Sequence, residues 1–234
     1  MEIANMTSDE IASRLMLTVM NYEENKENIT DFPYIRKGKF ALVAQLCVGE
    51  KNDAGQYTAC LTVTDSMIKQ WGFQKNVLFE IAADNSRTLF PSICEPLEKY
   101  LDTDHLKDHA LMPDGVVIPN VMVLTNEYHF NGAATMFYDP EKLNEAATKL
   151  SCKKLALMPS SVNQIYCIPQ KGNDDLKAFQ DLYQKFAEAL GKENMLSEDI
   201  LTYDAKTRTI TESTGTSYAL DLSETAVRRP GHGR

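Results

Sequence analysis

The chain has 234 residues, of which 43% are apolar and 24% charged, and its formal net charge is −9. That length and apolar content suffice for a substantial core, and the acidic balance, with basic residues scattered among acids, excludes a general nucleic-acid binder, whose phosphate partner needs clustered Lys and Arg. No apolar run approaches the roughly 18 residues of a membrane span, and the N-terminus has neither the basic region nor the apolar stretch of a signal peptide.

Thr7 and Glu10 stand at capping-box spacing and open a helix. Ile11, Leu15, Thr18, Val19 and Tyr22 follow at helical period, so the helix is expected to run to about Tyr22. Phe40 to Val48 is apolar on both faces, as a central strand is. After the turn-rich Lys51 to Gly55, Tyr57 to Val63 is rich in strand formers and completes a hairpin. Thr64 and Asp65 cap a short helix that Gly72 closes. A second helix begins at Val77 and Leu78 and runs to about Arg87, where Asp84, Asn85 and Ser86 read as a polar stop. Leu97 to Leu101 is helical in composition. Residues 102–115 are charged and marked by Pro and Gly, and read as a linker.

The stretch from Val121 to Gln170 predicts strand, strand, helix, strand, strand. Val121–Leu124 and Ala133–Tyr138 flank a turn-rich segment, Asp139 and Pro140 open the helix, and Leu143, Ala146, Ala147 and Leu150 form its buried stripe. Leu155–Met158 and Gln164–Ile168 close the unit around Pro159 to Asn163. A strongly amphipathic helix after Asn173 carries Leu176, Phe179, Tyr183, Phe186, Ala187 and Leu190 on one face and stops at Gly191. Ile200–Tyr203 and Thr207–Thr211 make a last hairpin. The fold class is therefore α+β: an antiparallel or mixed sheet with helices packed on it, built around a β-β-α-β-β unit. The organisation reads as an N-terminal part over residues 1–101, the linker, the central unit with its following helix and hairpin over 116–212, and a disordered tail over 213–234; residues 1–212 can pack as one domain.

Several spaced segments resemble one family. Thr62 to Gly72 is similar to its V-T-x-x-x-x-x-x-W-G pattern, and Leu78 to Pro91 to its L-x-x-x-A-x-x-N-[ST] segment with the following Pro. Leu124-Thr-Asn126, Asn131-Gly-Ala-Ala134 and Leu157-Met-Pro-Ser-Ser-Val162 resemble its L-T-N, G-A-A and L-P-S-S-[IV]-H-E patterns. On these motifs, from about Ile35 to Tyr203, the chain resembles the bacterial domain of unknown function 5688 family. The resemblance implies a bacterial cytosolic protein and no particular activity. The chain departs from the pattern at Asn163 and Gln164, where His-Glu is the family's common pair.

The five cysteines include no C-x-x-C pair, and Cys47, Cys60, Cys94 and Cys167 sit in apolar surroundings, as free thiols of a reducing compartment do. A cytoplasmic location is expected. Cys47 and Cys60, on neighbouring strands of the first hairpin, form the pair to test for proximity.

Candidate chemistry is sparse. His105 and His109 stand at i and i+4 among Asp102, Asp104 and Asp108, a spacing that can present two imidazoles to zinc, but the H-E-x-x-H glutamate and a third ligand are missing; the competing reading is a solvated acidic helix. Ser160 and Ser161 follow a strand, but without the G-x-S-x-G elbow or a following helix the turn itself accounts for them. Asn126, Tyr128, His129 and Asn131 crowd the loop after the first central strand, where a polar rim with aromatic rings can form a recognition edge; backbone capping by Asn is the plainer reading. No phosphate-binding glycine loop is present, and no cofactor is expected. The leading expectation is a non-enzymatic protein that binds a protein partner, with neither nucleic acid nor membrane as its target. The alternative is a hydrolase or metal-dependent enzyme built on His105, His109, His129 and Ser161. A homo-oligomer joined through a strand edge is a third arrangement.

Overall fold

The computed structural model describes residues 6–51, 57–101, 120–172, 179–181, 183–184 and 195–222. Among the described residues two antiparallel sheets are present. The first contains β1 (Leu15–Asn21), β2 (Tyr34–Lys37), β3 (Phe40–Lys51) and β4 (Tyr57–Thr62), with β3 central, β1 on one side and β2 and β4 in succession on the other. The second has seven strands: β5 (Ser92–Pro96), β6 (Met122–Asn126), β7 (Lys154–Met158), β8 (Ile165–Pro169), β9 (Leu201–Asp204), β10 (Thr209–Thr211) and β11 (Ser217–Ala219), in the order β11-β10-β9-β7-β8-β6-β5. The α+β class read from the sequence is the observed one, and the N-terminal hairpin belongs to a sheet of its own.

The α-helices that lie wholly within the described residues are α1 (Ser8–Ala12), α2 (Tyr22–Asn25), α3 (Asp65–Trp71), α4 (Lys75–Leu89), α5 (Leu97–Leu101), α6 (Thr135–Tyr138) and α7 (Glu141–Lys149). Local chemistry sets several boundaries. Thr7 accepts from the Glu10 N–H while Glu10 accepts from the Thr7 N–H, closing a capping box on α1. Thr64 caps α3, and Gly72 ends it at φ 74°, a left-handed position that glycine adopts without steric cost. The stripe of α7 is Leu143, Ala146 and Ala147, all buried.

One apolar cluster joins both sheets. Leu15, Leu17, Phe40 and Leu42 of the first meet α4 (Leu78, Phe79, Ala82), α6, α7 and the inner face of the second (Leu124, Leu155, Leu157, Ile165, Leu201, Tyr203). The other face of the second sheet is also covered: Val123, Ala156, Met158 and Ile168 pack with Leu97, Tyr100, Tyr183 and Ile200. A sheet buried on both faces loses the polar alternation that marks a strand.

Three expectations give way for that reason or for want of a local signal. Residues 15–21 are not the end of the first helix but β1, because Leu15 to Val19 is buried throughout and pairs with β3. Ala133 to Tyr138 is not a strand. It forms a 3₁₀ turn (Gly132–Ala134) and then α6, buried at every position, so the unit runs β6-α6-α7-β7-β8. A short apolar run buried on all sides has no period to separate helix from strand. The tail does not begin at 213: Gly215 turns the chain at φ 86°, and β11 pairs Tyr218, itself buried, with Ile210. Residues 223–234, the linker at 102–115 and most of the helix after Asn173 lie outside the described residues; of that helix, Tyr183 is buried and Phe179 packs against the same apolar cluster.

The outer edge of β1 is closed by side chains rather than by a strand. Ser86 Oγ accepts the Leu17 N–H at 2.8 Å, and Asn85 Nδ2 donates to the carbonyls of Ala12 and Leu15. Asn85 and Ser86 therefore lie inside α4 with a structural task, where the sequence suggested a helix stop.

Candidate functional site

A cavity of about 490 Å³ opens between the β3–β4 ribbon and the loop that leaves β6; its lining is Gln45, Cys47, Tyr57, Ala59, Cys60, Phe90, Tyr128, His129, Phe130 and Asn131. The loop is held from inside. The Asn126 side chain, 1% exposed, accepts the N–H groups of Tyr128 and Phe130 at 3.1 and 3.3 Å and donates to the Phe130 carbonyl at 2.6 Å. Those bonds fix a tight curl in which His129 and Asn131 sit at φ 52° and 51°. Left-handed positions of this kind are uncommon for residues other than glycine and persist where surrounding bonds enforce them.

Asn131 ties the curl to the first sheet. Its Oδ1 accepts from the Thr18 hydroxyl at 2.9 Å, and its Nδ2 donates to Gln45 Oε1 at 3.1 Å. Its own N–H donates to Asn163 Oδ1 at 3.1 Å. Asn163 also accepts from the Thr125 hydroxyl through its carbonyl, at 2.6 Å. Asn163 is thus a lock on the cavity wall. Gly132 permits this approach: a Cβ there would meet Thr125 Cα at 2.9 Å and come closer still to Thr125 Oγ1 and Asn163 O.

Aromatic rings shape the interior. Phe90 and Tyr128 meet edge to face at 5.8 Å, His129 stacks edge-on against Tyr100 at 5.0 Å, and the Arg14 guanidinium lies 5.2 Å from the Tyr57 ring. Phe130 is 42% exposed, one of three large apolar side chains open to solvent among the described residues. Cys47 Sγ and Cys60 Sγ stand 3.5 Å apart on the cavity floor. Their hydrogen bond lowers the Cys60 thiol from its ordinary value, against the opposing effect of burial.

Of the sequence-derived site residues, Tyr128, His129 and Asn131 line this cavity and Asn126 supports it from beneath. Ser160 is buried, and the Ser161 hydroxyl accepts the Asn163 N–H at 3.1 Å as a turn cap; both lie outside the cavity, so His129 and Ser161 are not brought together in it. His105 and His109 lie outside the described residues, among which no group of three or more His, Cys, Asp and Glu side chains is placed to hold a metal ion. Also among the described residues, no helix is long and apolar enough to cross a membrane. Gln45, Tyr57 and Phe90 escaped the sequence reading, since each reads as an ordinary strand or helix-end residue until the two sheets are assembled.

The chain belongs to a family of unknown function (DUF5688), whose model matches residues 2–205. No curated protein and no solved structure matches it.

Proposed function

For this member of a family of unknown function, we propose a bacterial, cytosolic, non-enzymatic role: the chain binds another protein, which inserts an apolar side chain into the cavity between β4 and the Asn126–Asn131 loop. The observation that carries this reading is the aromatic lining of Tyr57, Phe90, Tyr128 and Phe130 beside a strand edge. Among the described strands β4 pairs only with β3. Its outward-facing backbone groups can extend the sheet with an incoming strand, while the cavity selects the side chain that strand carries. The wall is braced by Asn126, Asn131 and Asn163, so little ordering entropy opposes binding.

The test places a photo-crosslinking residue at Phe130 in the full chain, identifies the captured protein, and titrates it against the wild type and Tyr128→Ala. A buried aromatic anchor costs more than about 1 kcal/mol when truncated, so affinity is expected to fall about tenfold. Unchanged affinity in a folded Tyr128→Ala chain refutes the reading. Capture of a second copy of this chain points instead to self-association through the β4 edge.

A further inference from the structure

We propose that Cys47 and Cys60 form a redox-active dithiol on the cavity floor, with Cys60 attacking a peroxide and Cys47 closing a reversible disulfide. The strand register places them. Cys47 and Cys60 face each other across β3 and β4. The Cys47 N–H donates to the Arg14 carbonyl, on the β1 side, and the Val63 N–H donates to the Ala44 carbonyl across the β3–β4 ladder. Bonded and non-bonded pairs alternate along an antiparallel ladder, so Cys47 and Cys60 occupy a non-hydrogen-bonded pair, where side chains stand closest. The Cα separation of such a pair, about 4.5 Å, falls within the roughly 4.4–6.8 Å that a disulfide spans. The sulfurs are already in contact at 3.5 Å.

Position singles out the pair: both thiols line the cavity, with Cys60 partly exposed and Cys47 buried. Cys94 and Cys167 are buried in the core, where burial pushes the Cys94 thiol up to about 12 and the Cys167 thiol well above its ordinary value. Cys152 is also raised by burial. Of Cys60, Cys94, Cys152 and Cys167, Cys60 alone moves down, through its bond to Cys47. The thiolate is the nucleophile, so Cys60 reacts first.

With hydrogen peroxide, the Cys60 thiolate attacks one oxygen, the O–O bond breaks, and hydroxide leaves Cys60 as a sulfenic acid. The Cys47 thiolate then attacks the Cys60 sulfur, the S–O bond breaks, the S–S bond forms, and a second hydroxide leaves. The two protons given up by the thiols convert both hydroxides to water. The thiols lose two electrons and the peroxide gains them. Such disulfides in reducing compartments are transient and redox-sensing. The chemistry stands independently of the partner binding proposed above.

The experiment treats the reduced full chain with hydrogen peroxide, blocks remaining thiols, and digests with trypsin without reduction. Trypsin releases Cys47 in the peptide Phe40–Lys51 and Cys60 in Asn52–Lys69. The expected product is these two peptides joined, lighter by two hydrogens and separated again by dithiothreitol. In Cys47→Ser a Cys60 sulfenic acid should accumulate and take a dimedone tag, whereas Cys60→Ser should leave residue 47 untagged. In the untreated wild type, Cys60 should be alkylated at least about tenfold faster than Cys94. Absence of the joined peptides, a dominant link through any other cysteine, or equal alkylation rates overturns the proposal, and each of these readings is made on the wild-type chain.

Discussion

Gly132→Ala is the sharpest probe of the cavity wall. The added methyl would meet Thr125 Cα at 2.9 Å and press between Thr125 Oγ1 and Asn163 O, the donor and acceptor of a 2.6 Å hydrogen bond. Two of the three obstructing atoms belong to the backbone, so a side-chain rotation cannot relieve the clash. Overpacking of this kind costs about 1–3 kcal/mol, and the lost hydrogen bond adds about 1 kcal/mol. Alanine also restricts the unfolded chain, which returns about 0.4–1 kcal/mol. The net loss is about 1–4 kcal/mol, a sizeable part of the roughly 5–15 kcal/mol that holds a domain together. Urea denaturation should show it as a lowered midpoint at unchanged slope, and thermal melting as a fall of roughly 2–14 °C, at about 2–4 °C per kcal/mol for a chain of this size. Gly172, with open space around its Cβ position, supplies the control: Gly172→Ala should stay within about 0.5 kcal/mol of wild type. A Gly132→Ala chain as stable as that control refutes the close approach of the Asn131–Ala134 turn to Asn163.

Ser86→Ala removes the acceptor of the Leu17 N–H on the closed edge of β1; an unsatisfied buried donor costs about 1–3 kcal/mol, read as a shift in the urea midpoint, with faster amide exchange at Leu17. Lys37, only 2% exposed, pairs with Asp221, which is 58% exposed, at 2.8 Å. Asp221→Asn should cost about 1–3 kcal/mol, less than a wholly enclosed pair, and Lys37→Met together with Asp221→Asn should recover most of it; no recovery refutes the buried cation as the source. The Glu145 carboxyl is held below its ordinary value by the hydrogen bonds of Lys149 and then Lys142. Its contribution is therefore complete above the unfolded carboxyl pKa and is lost as pH falls through the lower folded value. Urea midpoints measured down the acid limb should fall less steeply for Glu145→Gln than for wild type, and parallel curves refute the linkage.

Local signals were read correctly where the chemistry is local. Thr7 with Glu10 and Thr64 with Gly72 set helix ends by bonds spanning a few residues, and the Leu143–Ala146–Ala147 stripe and the hairpin of β9 and β10 follow from period and turn composition. The nearness of Cys47 and Cys60 was legible for the same reason, since a hairpin sets its two strands side by side; their direct opposition was not, because the register shifts between Val48 and Lys51. Half of the cavity wall was visible as a polar, aromatic loop from Asn126 to Asn131. The facing half was not, because the bonds that join the halves cross long stretches of chain: Thr18 to Asn131 and Gln45 to Asn131.

Alternation, caps and turn residues thus determined the α+β class and most element boundaries, since each rests on interactions within one turn or one hairpin. Tertiary packing decided the rest. Leu15–Asn21 became a strand and Thr135–Tyr138 a helix because burial of Leu15–Val19 and of all of Thr135–Tyr138 erases the amphipathic period, leaving neighbouring elements to choose the conformation. The same packing turned Asn85, Ser86, Asn131 and Asn163 from generic polar residues into the bonds that close β1 and hold the cavity, because a side-chain amide or hydroxyl acquires its role only from the partner that folding places beside it.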